Sequence, residues 1–162
     1  MFPEIYIQQA EKLLDTYRSR GVKLATAESC TGGLIAALLT EISGSSDVFE
    51  CGFVTYSNAS KIKLLGVDAQ LIEQYGAVSE QVACAMAQGV IAKTGVDVAV
   101  AVTGIAGPSG GTQQKPVGLV YIAVASKNNV TCEQNIFTGN REQVRLSSVE
   151  KALGMLLDIK NN

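Results

Sequence analysis

Val96-Asp97-Val98-Ala99-Val100-Ala101-Val102-Thr103 is an almost unbroken run of β-branched residues and alanine. A strand with one wet face alternates apolar and polar side chains, so this run reads as a central strand buried on both faces. Upstream, Ser79 with Glu80 and Gln81 starts an amphipathic helix that ends near Gly95. Before it stand two short helical stretches, one from a cap at Asn58 to Gly66 and one over Ala69 to Tyr75. Further back come a strand from about Cys51 to Tyr56, a Gly44-Ser45-Ser46-Asp47 turn and an apolar helix from Leu34 to Thr40. Ser29 to Gly33 reads as a tight turn after a buried strand, Val22 to Ala27, and residues 3–20 place Ile5, Ala10, Leu13, Leu14 and Tyr17 at helical spacing before Gly21. Downstream, Gly104 to Pro116 is a glycine-rich loop. Val117–Ser126 and Val130–Thr138 suit a hairpin about Asn128-Asn129, and a last helix runs from about Asn140 to Lys160. Helices alternating with strands, plus one antiparallel pair, predict an α/β chain: a single three-layer α/β/α domain over residues 1–162 with a mixed, mainly parallel sheet.

The composition narrows the chemistry. The 162 residues include 13 Lys plus Arg, 15 Asp plus Glu, and no histidine. That zero removes Ser-His-Asp and Cys-His nucleophile systems, histidine acid/base catalysis and histidine metal sites. A net charge of −2 supplies no general pull toward nucleic acid or anionic membrane. No targeting segment or run of ~20 apolar residues is visible, and neither nucleic acid nor membrane is expected as a partner. Cys30, Cys51, Cys84 and Cys132 form no C-x-x-C pair, which reads as reduced thiols of a cytoplasmic protein, without a zinc ribbon or thioredoxin motif.

In open α/β sheets, sites gather where strands hand over to loops and helix starts. The first handover is Thr26-Ala27-Glu28-Ser29-Cys30-Thr31-Gly32-Gly33. A serine there sits beside backbone N–H groups that can stabilise an oxyanion or a phosphate, or else Ser29 and Thr31 merely cap the helix. The second is Tyr56-Ser57-Asn58-Ala59-Ser60-Lys61. Without histidine, a serine nucleophile needs another base, and a desolvated lysine is the established substitute. The plain alternative is an exposed lysine on a short helix. The third is Thr103-Gly104-Ile105-Ala106-Gly107-Pro108-Ser109-Gly110-Gly111, whose glycines let backbone approach a ligand closely, or simply make a flexible connection.

Two short matches are decoys. Ser60-Lys61-Ile62-Lys63 fits S-x-x-K, but its S-D-N and K-T-G partners are absent. Tyr56 and Lys61 miss the Y-x-x-x-K spacing by one residue, and no G-x-G-x-x-G occurs. Arg141 and Arg145, four apart on the first turns of the last helix, can clamp a phosphate or remain a solvated surface pair.

These blocks, in this order, resemble the C-terminal-domain family of the competence/damage-inducible protein CinA. The match rests on Thr26–Gly33, on Gly52-Phe53-Val54-Thr55-Tyr56-Ser57-Asn58, on Gly76-Ala77-Val78-Ser79, on Thr103–Pro108 and on Lys115-Pro116-Val117-Gly118. A looser Phe137-Thr138-Gly139-Asn140-Arg141 extends it into the last helix. The larger relatives add an N-terminal nucleotide-processing domain for which this sequence has no room. The resemblance implies hydrolysis of the carboxamide of nicotinamide mononucleotide to nicotinic acid mononucleotide and ammonia, as in pyridine-nucleotide salvage. It implies Ser29 as nucleophile, Lys61 as base and Tyr56 as its partner. Cys30, Thr31, Gly32, Gly33, Thr103, Gly104, Ile105, Ala106 and Gly107 would line the substrate, and Arg141 or Arg145 would meet its phosphate. No metal or other cofactor is implied. The expected partner is the small nucleotide substrate, and relatives suggest a homo-oligomer. The competing reading is a non-catalytic nucleotide-binding module in competence or DNA-damage responses. A mere binder has no need of a nucleophile with a base.

Overall fold

Alternating valine and alanine sort the two faces of the central strand. In the computed structural model, which describes residues 1–159, that strand is β3 (Val98–Gly104). Its Val98, Val100 and Val102 pack with α1 (Glu4–Ser19), α2 (Leu34–Glu41) and α6 (Arg141–Leu157). Its Ala99 and Ala101 turn to the opposite face, beneath α5 (Glu80–Thr94). Ala25 and Ala27 of β1 (Leu24–Glu28) and Ala123 and Ala125 of β4 (Leu119–Ser126) share that face, a floor of small side chains that lets α5 lie close. Helices therefore cover both faces, completing the three layers.

The sheet is mixed, in the order β2-β1-β3-β4-β5, with β2 spanning Phe49–Val54 and β5 spanning Asn129–Ile136. β1 pairs in parallel with both β2 and β3, while β3–β4 and β4–β5 are antiparallel. Four strands thus run one way and β4 runs the other. From β1 the chain moves through α2 to one neighbour. It reaches the other, β3, by way of α3 (Asn58–Leu65), α4 (Ala69–Tyr75) and α5. The strand order reverses at β1, and such a switch point opens a crevice at the carboxyl ends of the strands.

Beyond shifts of one or two residues in the strand bounds, three details differ from the sequence reading. The cap of α3 is Ser57, whose Oγ accepts from the Ser60 amide at 3.0 Å, one residue before the expected Asn58. The hairpin turns on Lys127-Asn128, since Ser126 pairs with Asn129. The last described helix ends at Leu157, and the expected end at Lys160 lies outside the described residues. Its start is as expected: Asn140 accepts from the Gln143 amide and Gln143 returns a bond to the Asn140 amide, a reciprocal capping box.

Gly89 on α5 sets how closely α3 approaches, because a Cβ there would run into the Leu65 carbonyl. Gly89→Ala is therefore expected to destabilise the fold by about 1–3 kcal/mol. Gly154→Ala, inside α6 with nothing within 4 Å of its Cβ position, should instead stabilise it by about 0.5–1 kcal/mol. Urea unfolding of both variants measures the contrast.

Candidate active site

The sheet ladder itself brings the first two site segments together. Beyond the end of β1, the Ser29 amide donates to Val102 O at 2.9 Å, and beyond β2 the Thr55 amide donates to Glu28 O at 2.9 Å. α3 then returns Lys61 over this edge. Its Nζ donates to Ser29 Oγ at 2.9 Å and to Thr55 O at 2.8 Å. Lys61 is 1% exposed, and among the described residues no carboxylate lies within ion-pair distance of it. Burial without a counter-charge disfavours the ammonium, and it holds the Lys61 pKa below the ordinary 10.5.

Ser29 and Lys61 line a cavity of about 360 Å³ with Cys30, Tyr56, Asn58, Ala77, Val78, Arg141 and the Thr103–Gly107 segment. Thr103, 1% exposed, donates from Oγ1 to Ala77 O at 2.8 Å, tying the end of β3 to the loop before α5. Gly104 has no room for a side chain, because a Cβ would meet Val120 and the Leu119 carbonyl. The third handover is thus a fitted wall of the cavity at this point.

Tyr56 is placed differently from its expected role. It is 62% exposed, and its Oη accepts from Arg141 Nη2 at 3.1 Å and makes no hydrogen bond with Lys61. Five residues of separation put the tyrosine in the loop before α3, so its ring stands at the cavity rim. Arg141 spans that rim, with Nη1 donating to Gly107 O at 3.0 Å. The two arginines part company here. Arg145 does not reach the cavity lining; its Nε donates to Cys30 O at 3.2 Å and its Nη2 to Thr31 O at 3.1 Å.

The turn after Ser29 holds a residue that the sequence reading left without a role. Glu28, fully buried, accepts from the amides of Gly33 and Ile35 through Oε2 at 3.1 Å each and from Ala36 through Oε1 at 2.9 Å. It occupies the positive end of α2, where an anion is favoured. Neither Ser29 nor Thr31 caps that helix, and Thr31 Oγ1 is buried without a partner. The Gly33 amide is spent on Glu28 and the Gly32 amide on Ser29 O. Among the described residues, the amides of Cys30 and Thr31 remain without an acceptor. The sequence signal for Glu28 was a carboxylate directly after Leu24-Ala25-Thr26-Ala27, at the end of a buried strand. Cys30 itself is a poor nucleophile: burial pushes its thiol up to about 11. Ser60 of the S-x-x-K decoy donates to Ser57 O at 2.8 Å on the exposed side of α3.

Fold and cavity together define the class: an α/β domain that sets a serine against a buried lysine at the carboxyl ends of its parallel strands. The chain belongs to the CinA C-terminal domain family, whose model matches residues 7–160. It is 55% identical over 133 residues to the nicotinamide-nucleotide amidohydrolase PncC of Enterobacter agglomerans, covering 81% of this chain and 80% of that one. It is 54% identical over 140 residues to a CinA-like protein of Geotalea daltonii, covering 86% of this chain but 34% of the relative. The chain thus spans about a third of the length of such larger relatives. Among solved structures, the competence/damage inducible protein CihA of Agrobacterium tumefaciens superposes with a TM-score of 0.95 at 45% identity, covering 97% of this chain and 96% of that one.

The buried amine has a consequence for stability. A lysine whose folded pKa is lowered binds fewer protons in the native than in the unfolded state, between the lowered value and 10.5. Stability contributed at Lys61 must then rise with pH across that window and be lost as pH falls through it. Wild type minus Lys61→Met stability, from urea unfolding at intervals from pH 6 to 10, is expected to climb with pH. A flat difference would contradict the lowered pKa.

Proposed function

We propose that this domain hydrolyses the carboxamide of a nicotinamide nucleotide, nicotinamide mononucleotide in the first place, through a Ser29 nucleophile and a Lys61 base. The observation that carries the reading is the 2.9 Å contact between Ser29 Oγ and the buried Lys61 Nζ. The similarity to an amidohydrolase of nicotinamide nucleotides supports the substrate.

In its neutral form Lys61 Nζ accepts the Ser29 proton as Oγ attacks the carboxamide carbon. The carbonyl π electrons move to oxygen, and the Cys30 amide, which follows the nucleophile on the cavity wall and has no other acceptor among the described residues, is the donor for the resulting oxyanion. This narrows the four-residue segment of the sequence reading to Cys30, since Gly32 and Gly33 have committed amides and Thr31 is fully buried outside the cavity lining. Collapse of the adduct breaks the C–N bond, and the leaving nitrogen takes the proton held on Lys61 and departs as ammonia. Water then repeats the sequence on the acyl-enzyme: Lys61 removes its proton, the oxygen adds to the ester carbon, and Ser29 Oγ leaves with the proton returned.

The nucleotide's phosphate is assigned to Arg141, at the start of α6 on the cavity rim. An anion arriving there exchanges the Tyr56 and Gly107 acceptors for a charge-assisted pair, with the glycine loop adding amides. Tyr56 belongs to this rim.

Ammonia release from nicotinamide mononucleotide by the purified domain tests the reading. Ser29→Ala is expected to abolish turnover while leaving nucleotide binding intact, and wild-type turnover in that variant would place the nucleophile elsewhere. Charge-assisted bonds contribute about 1.5–3 kcal/mol, so Arg141→Ala should lower kcat/KM for the mononucleotide by roughly 10–150-fold. The riboside, which lacks the phosphate, should respond much less. Equal loss on both substrates would refute the phosphate assignment.

A further inference from the structure

Arg145 makes contacts that phosphate binding does not use. From α6 its guanidinium reaches the turn after Ser29 and takes two successive carbonyls, Cys30 O at 3.2 Å and Thr31 O at 3.1 Å. Gly32, at φ +61, gives the turn its left-handed residue, and a Cβ there would only touch Arg145 Nη2 at 3.4 Å.

In a trans peptide the C=O and N–H point to opposite sides. Fixing Cys30 O toward Arg145 therefore turns the Thr31 amide away from Arg145. Fixing Thr31 O, which also accepts from the Leu34 amide at 3.2 Å, does the same for the Gly32 amide, which closes the turn on Ser29 O at 3.0 Å and so sets the peptide unit that carries the Cys30 amide. Glu28 holds the far end of the segment by the amides of Gly33, Ile35 and Ala36. The turn is gripped by a cation on its carbonyls and an anion on its amides. Of the amides that this grip leaves over, Cys30 directly follows Ser29 and lines the cavity, whereas Thr31 is fully buried. Isolated turns flip such peptide units readily, and an oxyanion site works only when its donors are oriented before the reaction.

We infer that Arg145 is a positioning residue for amide hydrolysis: by holding the Cys30 and Thr31 carbonyls it aims the Gly32 amide at Ser29 O, and so keeps the Cys30 amide oriented as an oxyanion donor beside Ser29. This rests on the reading of Ser29 as nucleophile. It gives the second arginine of α6 a part in kcat, whereas Arg141 acts on nucleotide binding.

Two variants test it, Arg145→Met and Arg145→Lys, with wild type alongside. Ammonia release gives kcat and KM for nicotinamide mononucleotide, and calorimetry gives Kd for nicotinic acid mononucleotide. A second arm needs no amide substrate: diisopropyl fluorophosphate reacts as Ser29 Oγ bonds to phosphorus, the serine proton passes to Lys61 and fluoride leaves, and its P=O oxygen calls on the same donor. Mass spectrometry follows that rate. For Arg145→Met, kcat and the phosphorylation rate are both expected to fall by about 10²-fold, the lower end of the loss of one oxyanion donor, with KM and Kd within about twofold of wild type. Arg145→Lys, which retains a single donor nitrogen and the charge, should recover part of both rates. If Arg145→Met does not fold, the lysine variant decides alone: a lowered kcat at unchanged KM supports the inference, and an unchanged kcat overturns it. A raised KM and Kd at wild-type kcat would make Arg145 a phosphate ligand and overturn the inference. A wild type that releases no ammonia, but whose phosphorylation still depends on Arg145, would refute the substrate and uphold the positioning role.

Discussion

An ammonium group enclosed by protein, with no carboxylate to balance it, is the constraint on which the rest of this site depends. Removing such a charge from water is costly, and a lysine so placed responds by giving up its proton more readily. Among the described residues, Lys61 meets that condition with two acceptors, Ser29 Oγ and Thr55 O. A protein without histidine has few other routes to a base near neutral pH. On the proposed reading, burying this one amine supplies the base, and the hydroxyl it touches is the nucleophile.

The architecture serves that burial. The switch in strand order at β1 opens the crevice, and ladder bonds at the ends of β1 and β2 hold Ser29 and Thr55 in fixed relation. Gly89 lets α3 settle on α5, so the helix that carries Lys61 is fixed by packing rather than by a charge partner. Rigid support of this kind matters because an error of about an ångström between reacting groups costs on the order of 10²-fold in rate. The adjoining turn is held separately, by Glu28 at its amides and Arg145 at its carbonyls. Charges thus surround the turn without approaching Lys61 as ion pairs.

Much of this was legible in the sequence because it depends on local pattern. The Val98–Val102 alternation with alanine gives the central strand, Ser79 and Asn140 mark helix starts, and the three handovers supply the cavity walls. What escaped depends on where side chains travel through space. The carboxylate of Glu28 reaches five to eight residues forward, so Ser29 and Thr31 looked like the local caps. Tyr56 stands close to Lys61 in sequence, yet the start of α3 separates them and gives the tyrosine to Arg141. Arg141 and Arg145 share a helix face by spacing, but one turn of α6 moves the second from the cavity rim to the backbone beneath it. Spacing showed that they were neighbours and could not show that they had different acceptors.

The central claim concerns the charge on one nitrogen, and that charge can be observed. Protein labelled with ¹⁵N at lysine side chains, with Lys61→Arg to assign the resonance, allows the Lys61 amine to be titrated by nuclear magnetic resonance. The account predicts a midpoint well below 10.5, coinciding with the pH at which turnover rises to half its alkaline limit. A Lys61 amine that keeps its proton up to the ordinary lysine range while the enzyme turns over at neutral pH would contradict it.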